Sequence, residues 1–378
     1  MKKKVMSLLL AAAMTATLFA GCGSDNGTAD KTTGDNAAAS TEAAGDETSA
    51  DGYELALVID VGTIDDKSFN QGSWEGVKKY GDENGVAYKY YKSAEATTDS
   101  FQETIALAIE GGAKVIVCPG FLFEEPIYNM QTQYPDVKFI LIDGEPHDAE
   151  SNYATAENTM AVLYEEDQAG FLAGYAAVKD GYTKLGFMGG MALPAVIRYG
   201  YGYLAGADYA AKELGVDVDV TYTYTGSFEA TPEAQSMATG WYQAGTEVIF
   251  ACGGSVGNSV MAAAEASDNA KVIGVDVDQS SESDTVITSA MKMLSNSVYD
   301  AIKAAYDGSF PGGKTTVFDA ANDGVGIAMD TAKFNTFSQA DYDEVFAKLV
   351  AGEITIDNDV EKEVSDLELS NVTVNYVQ

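Results

Sequence analysis

The sequence predicts an α/β protein built as two doubly wound parallel-sheet lobes with a ligand cleft between them. Three observations carry this. Strand-like and helix-like segments alternate along the chain. The strand-like runs are short and apolar, and each breaks into Gly, Pro or Asp. The core also reads twice: residues 113–120 (AKVIVCPG) return as 246–253 (TEVIFACG), and 137–144 (VKFILIDG) as 271–278 (KVIGVDVD). A weaker echo links 53–62 (YELALVIDVG) to 182–190 (YTKLGFMGG). Ligands collect at the carboxyl ends of parallel strands, and the doubled Asp143 and Asp276 stand at such ends.

The first 21 residues read as a lipoprotein signal peptide. Three lysines follow Met1, an apolar stretch runs from Val5 to Ala20, and small residues lead to Cys22, which is expected to carry a lipid. Residues 22–52 hold almost nothing but small and polar side chains. They cannot bury a core and are expected to form a disordered tether. The expected address is the extracytoplasmic face of a cell membrane.

Beyond the tether, strands are expected at 55–59, 88–91, 114–118 and 137–142, with helices at 69–84, 100–110 and 124–134 between them. The second half repeats the scheme: helix 166–178, strand 185–188, helix 195–214, strand 218–224, helix 232–244, strand 247–251, helix 258–266 and strand 272–275. A strand at 286–289, a helix at 294–306 and late strands at 317–318 and 326–329 follow. The first lobe is expected to comprise 53–155 and about 291–330, the second 156–290. The chain should cross between them near 152–160 and near Lys292. Residues 331–378, with a helix at 339–351 and a strand at 372–377, form an extension expected to pack on the lobes.

Composition narrows the function. Fifty-eight acidic residues against 22 basic give a formal charge of −36. Such a field repels nucleic acid and phosphorylated ligands, so no nucleic-acid partner is expected. Hydrophobic residues make up 46%, enough to build cores for two domains in a chain of 378. One histidine, His147, leaves Ser-His and Cys-His pairs without parts. No enzyme, metal site or cofactor is expected. Cys118 and Cys252 fall at matching strand ends in separate halves, as small apolar residues rather than a disulfide.

Residues 308–315 (GSFPGGKT) match the P-loop letter pattern. A P-loop follows a strand and opens a helix; here a helix precedes and a strand follows, so the match is read as coincidence. Residues 252–258 (CGGSVGN) are better placed, after a strand and opening a helix. Their glycines admit a ligand close to backbone, or else form a tight turn with Ser255 as cap. The strongest local motif is 60–71 (DVGTIDDKSFNQ). Asp60 ends a strand, a polar loop follows, and Phe69 starts a helix as a floor for a flat ring. The simpler alternative makes Asp66 or Ser68 the helix cap and Phe69 core.

Taken together, DVGTIDDKSFNQGSWEG, GFLFEE, KFILIDG, GFMGG, YTGSF, FACGGSVGN and VIGVDVDQSS resemble the basic membrane lipoprotein family, in order, over about 53–329. The resemblance implies a type I periplasmic-binding-protein fold with three crossovers, and a monomer that serves an ABC permease and ATPase. It implies a purine nucleoside ligand such as inosine, guanosine or adenosine. Phe69 and Phe228 would sandwich the base. Asp60 and Asp143 would face the base, and Asp276, Lys292 and Gly254 the ribose. Asp66 and Asn70 join the candidate binding residues as members of the same loop. These residue types suit the ligand: rings stack on a purine, and ionised carboxylates accept from its edge and from hydroxyls while repelling phosphate. Lys292 is expected to neutralise Asp276. A sugar or autoinducer binder of the same fold, a ligand-sensing module and an exported hydrolase are the competing readings.

Overall fold

The computed structural model describes residues 52–60 and 62–377. The leader, Cys22 and the tether as far as residue 51 lie outside the described residues.

Strand β1 (Leu55–Ile59), helix α1 (Phe69–Asn84), β2 (Tyr88–Lys92), α2 (Thr98–Glu110), β3 (Val115–Pro119), α3 (Glu124–Gln133), β4 (Lys138–Ile142) and β5 (Thr159–Tyr164) open the fold. Then come α4 (Glu166–Lys179), β6 (Lys184–Gly189), α5 (Pro194–Leu214), β7 (Val218–Tyr224), α6 (Pro232–Ala244), β8 (Val248–Cys252), α7 (Val256–Glu265), β9 (Lys271–Asp276) and β10 (Val286–Lys292). Helix α8 (Leu294–Asp307), β11 (Lys314–Phe318), β12 (Val325–Ile327), α9 (Gln339–Val350) and β13 (Val372–Tyr376) complete it. Strands β1, β3 and β8 are buried throughout, as central parallel strands covered on both faces must be. Local chemistry sets the helix ends. Thr97 and Thr231 accept from Ser100 and Ala234 amides at the starts of α2 and α6.

Two sheets result. The first runs β11-β5-β4-β3-β1-β2 and the second β12-β10-β9-β8-β6-β7-β13. Every pairing is parallel except β10 with β12. The order β5-β4-β3-β1-β2 is repeated as β10-β9-β8-β6-β7. The sequence repeats are therefore topological counterparts: β3 matches β8, β4 matches β9 and β1 matches β6.

The strand assignments correct the expected lobe boundaries. Residues 159–164 (TMAVLY), expected beyond the first crossing, pair with β4 and extend the first sheet, because this apolar run covers the free edge of β4. The chain crosses after it, between Tyr164 and Glu166. It crosses back between Lys292 and Leu294. It crosses a third time after Phe318, so β12, expected in the first lobe, pairs with β10 in the second. The terminal extension belongs with the second lobe. There β13 pairs with β7, Asp208 accepts from the Ser370 and Asn371 amides, and Asp180 accepts from the amides of Asn335, Thr336 and Phe337.

Helices α4 and α5 pack backbone to backbone. A Cβ at Gly170 or Gly174 would lie 2.2 or 2.1 Å from the carbonyl oxygens of Tyr199 and Tyr203. One at Gly202 or Gly206 would lie 2.0 Å from those of Asp167 and Phe171. Glycines four apart on both helices clear this contact. Residues 308–315 form the turn from α8 into β11, with Gly312 against the Glu157 carbonyl and no helix following. The P-loop architecture is not formed.

Candidate functional site

The sequence-predicted residues lie on the loops after β1, β4, β7 and β8 and at the ends of β9 and β10, and Asp143, Asp276 and Lys292 among them bond across the junction of the lobes. Asp143 follows β4 and Asp276 ends β9, and both hold left-handed backbone, φ 59° and 67°. Non-glycine residues adopt that region rarely, aspartate more readily than most. The repeated strand ends thus turn alike.

Lys292, the last residue of β10, is the centre of the site. It is 3% exposed. Its ammonium donates to Asp143 Oδ2 across the junction and lies 2.9 Å from Glu166 Oε1. It also sits 5.2 Å from the Phe69 and Tyr164 ring centroids and 5.5 Å from that of Tyr199, a three-ring cage that favours a cation. Glu166, wholly buried, accepts through Oε2 from Arg198 Nε at 2.5 Å. A buried chain of alternating charge, Asp143–Lys292–Glu166–Arg198, therefore spans the junction. Burial pushes Asp143 up to about 6 against the pull of Lys292. Burial also acts to raise Glu166, but Lys292 and Arg198 outweigh it and hold the carboxyl below its ordinary range. Burial disfavours the charge on Lys292, yet Asp143, Glu166 and Asp276 together hold the ammonium well above its usual value.

Asp276 feels the expected attraction of Lys292, which opposes the effect of burial on its carboxyl, but its hydrogen bond goes elsewhere. Ser68 Oγ, from the opposite lobe, donates to its Oδ2 at 2.5 Å, while the ion pairs of Lys292 go to Asp143 and Glu166. Gln279 adds a second tie between the lobes, donating from Nε2 to the Lys67 carbonyl at 2.7 Å.

The loop before α1 explains its own residues. Asp66 accepts from the Ser68 and Gln71 amides through Oδ1 (2.9 and 3.0 Å) and from the Asn70 amide through Oδ2 (3.0 Å). Those bonds satisfy the free N–H groups at the helix start. Both Asp66 oxygens accept from backbone, so the residue positions the loop. Asp60 Oδ1 accepts from the Gly62 amide at 2.8 Å, and the Asn70 side chain donates to the same carboxylate. Asn70 Oδ1 and Asp143 Oδ1 are buried acceptors without a hydrogen-bond partner.

The rings lie on opposite lobes. Phe69 starts α1, half-buried, beside Gly120 at the end of β3. Phe228 follows β7 and covers Gly190, where a Cβ would meet its ring at 2.4 Å; Gly254 lies against its backbone and Cβ. Gly254 has φ 55°, and Ser255 makes no side-chain cap to α7. An interlobe groove of about 400 Å³ runs along the start of α1, the loop after β9 and the crossing at 291–296. Lys292 borders it, while Asp60, Phe69, Asp143 and Phe228 are not among the residues that line it.

Glu166 and Arg198 were not singled out by the sequence reading. The signal available was an acidic run, Glu165-Glu166-Asp167, heading an otherwise apolar helix.

Two lobes of one strand order, three crossings and a buried polar site at their junction define a periplasmic-binding-protein-type solute receptor. Residues 53–359 match the family model described as ABC transporter substrate-binding protein PnrA-like, and the chain belongs to that family. It is similar to the ABC transporter nucleoside-binding protein BmpA of Lactococcus lactis subsp. cremoris, 29% identical over 88% of this chain and 93% of that one. It is also similar to basic membrane protein A of Borreliella afzelii, 30% identical over 80% and 91%. A solved ABC solute-binding protein from Aeropyrum pernix K1 superposes with TM-score 0.69 at 25% identity, covering 80% of this chain and 92% of that one. One from Conexibacter woesei, at 24% identity and TM-score 0.64 over 81% and 99%, shares the fold.

Proposed function

We propose that this ABC substrate-binding protein captures purine nucleosides between its lobes and delivers them, from a lipid anchor at Cys22 on the extracytoplasmic face, to the permease and ATPase of an importer. One observation carries the ligand reading. Two half-buried rings, Phe69 and Phe228, stand on opposite lobes, and the ammonium that holds Asp143 lies 5.2 Å from the Phe69 ring centroid. Rings stack on the faces of a base at roughly 0.5–1.5 kcal/mol each beyond burial. Carboxylates accept from N–H and O–H groups, and the acidic field disfavours phosphate. A nucleoside meets these demands better than a nucleotide. On this reading Gly254 and Asp276 face the ribose from the second lobe, and Asp60, Asn70 and Asp143 face the base from the first. The protein binds its ligand as a monomer and leaves it chemically unchanged.

Among the described residues, no helix is long and apolar enough to cross a membrane. The proposed membrane attachment rests on the leader sequence and its cysteine. Calorimetry with inosine, guanosine and adenosine tests the ligand. Binding of a hexose with no heat from any nucleoside would overturn the reading in favour of a sugar receptor. Metabolic labelling with palmitate tests the anchor, and a Cys22→Ala protein that retains label would refute it.

A further inference from the structure

One bond across the junction is made by no candidate ligand residue: Gln279 Nε2, in the loop after β9, donates to the Lys67 carbonyl at 2.7 Å. The second lobe alone sets this side chain. Gln279 is 1% exposed. Its Oε1 accepts from the Val275 amide at 3.1 Å, its own amide donates to Ser289 Oγ at 3.0 Å, and its carbonyl accepts from the Glu282 amide at 3.0 Å. Gly274 in β9 makes the room, since a Cβ there would stand 2.5 Å from Oε1. The orientation of the amide is fixed from both ends, because a backbone N–H only donates and a backbone carbonyl only accepts. Nε2 must therefore face the first lobe.

The first lobe prepares the acceptor. Lys67 holds left-handed backbone, φ 61°, which a residue other than glycine adopts rarely. The Ser68 carbonyl takes the Gly72 amide at the start of α1, so the Lys67 carbonyl stands outside the helical ladder. The residues that follow are Ser68, which donates to Asp276, and Phe69. With the lobes apart, water serves the Gln279 amide. With the lobes together it is buried, and a buried donor left unpaired is costly. The Lys67–Glu282 ion pair at the same seam is 3.9 Å long, with side chains 41% and 30% exposed, and contributes little.

We infer that Gln279 is the positioning residue for lobe closure: a donor preset by the second lobe that captures the left-handed Lys67 turn and so fixes where Ser68 and Phe69 stand. It touches no ligand. The nucleoside reading supplies only the probe, inosine.

Gln279→Glu inverts the contact while keeping an oxygen for the Val275 amide. An ionised carboxylate cannot donate to the Lys67 carbonyl, whereas a protonated one can. The charged groups around this position are Asp66 and Lys67 before α1, Asp276 and Lys292 at the ends of β9 and β10, and Asp278 and Glu282 in its own loop; the first turn of α7 brings no acidic residue. Stopped-flow kinetics on the whole chain at about pH 8 are expected to show inosine leaving the variant at least about tenfold faster than the natural chain, with association within about twofold. At about pH 6, where proton uptake restores the donor, this ratio is expected to narrow by at least about threefold. Single-molecule energy transfer between dyes at the exposed positions of Glu103 in α2 and Gln235 in α6 should show a smaller closed population in the variant. Glu282→Gln, which removes only the ion pair, should leave dissociation within about twofold.

Unchanged dissociation in Gln279→Glu, or a deficit of equal size at both pH values, overturns the inference; so does a Glu282→Gln deficit as large as that of Gln279→Glu. If inosine binds neither protein, the nucleoside reading fails, and the ligand-free closed populations judge Gln279: a smaller one in the variant sustains the role, and equal ones overturn it. If Gln279→Glu does not fold, Gln279→Asn, one methylene too short to serve Val275 and Lys67 together, decides by the same dissociation rate.

Discussion

Replacing Glu166 by alanine removes the carboxylate that joins Lys292 to Arg198. Both of its oxygens are engaged, Oε1 with Lys292 at 2.9 Å and Oε2 with Arg198 at 2.5 Å, and the residue is wholly buried. Breaking a buried pair from one side costs roughly 3–5 kcal/mol, because a buried charge is left without compensation. Two features place this case near the lower bound. Lys292 keeps Asp143, and the Arg198 side chain is 20% exposed, so water reaches part of its charge. At roughly 2–4 °C per kcal/mol for large domains, a loss of about 3 kcal/mol lowers the melting temperature by roughly 6–12 °C. Asp276→Ala is the control. Asp276 is buried and its carboxylate accepts from the Ser68 hydroxyl without an ion pair, so roughly 1.5–3 kcal/mol is expected, as for a bond to a charged group. Thermal and urea denaturation followed by circular dichroism measure both. A Glu166→Ala loss under about 1 kcal/mol, or a larger loss in Asp276→Ala, would show that the charge chain does not hold the junction.

Phe69→Ala and Phe228→Ala should each weaken nucleoside binding by roughly 1–3 kcal/mol while the protein stays folded; a large fall in melting temperature with affinity intact would make that ring a core residue. Gly206→Ala should destabilise by roughly 1–3 kcal/mol, since its Cβ would lie 2.0 Å from the Phe171 carbonyl oxygen and the helices α4 and α5 must part. An unchanged urea midpoint would contradict that packing. Guanosine affinity should be flat above neutrality and fall as pH drops through about 6, where Asp143 takes a proton. The sign follows from burial raising this carboxyl: its ionised, acceptor-only form predominates above that value, with Lys292, Glu166 and Asp276 as the charged groups facing it. Calorimetry across that range with no change in guanosine affinity would remove Asp143 from the base contact.

The doubled strand motifs made the architecture legible. Short apolar runs at matching spacing, each ending in Gly, Pro or Asp, identify β3 with β8 and β4 with β9 before any coordinate is known. The boundaries were less legible for physical reasons. Residues 159–164 follow a loop rich in Asn and Glu, and nothing local says that this run pairs with β4 rather than opening the next lobe. β12 has three residues, too few for alternation to show. At the site, single-residue roles depended on contacts over long sequence separation. Asp276 and Lys292 look like partners because both end neighbouring strands. Their actual partners, Ser68 for one and Asp143 with Glu166 for the other, come from elements that only the folded crossings bring near. That Asp66 satisfies the start of α1 was legible from its place just before the helix. The paired glycines of α4 and α5 were present in the sequence, but their purpose is clear only once the two backbones are seen in contact.

The groups proposed to read the ligand are also the groups that join the lobes. Asp143 of the first lobe holds Lys292 of the second, and Ser68 of the first donates to Asp276 of the second. Each bond requires the lobes to approach. A ribose hydroxyl that reaches Asp276 finds one oxygen engaged by Ser68 and shares the carboxylate rather than displacing a solvent shell. A base edge that reaches Asp143 finds its Oδ1 held in place by the ammonium on Oδ2. On the proposed reading, closure therefore orients the acceptors before chemistry at their free oxygens is tested, and recognition needs little further reorganisation. The buried chain extends this to the hinge: Lys292 ends the strand at one crossing, and Glu166 begins the helix after another. A movement of either crossing shifts the ammonium, and with it the Asp143 carboxylate that is proposed to face the base.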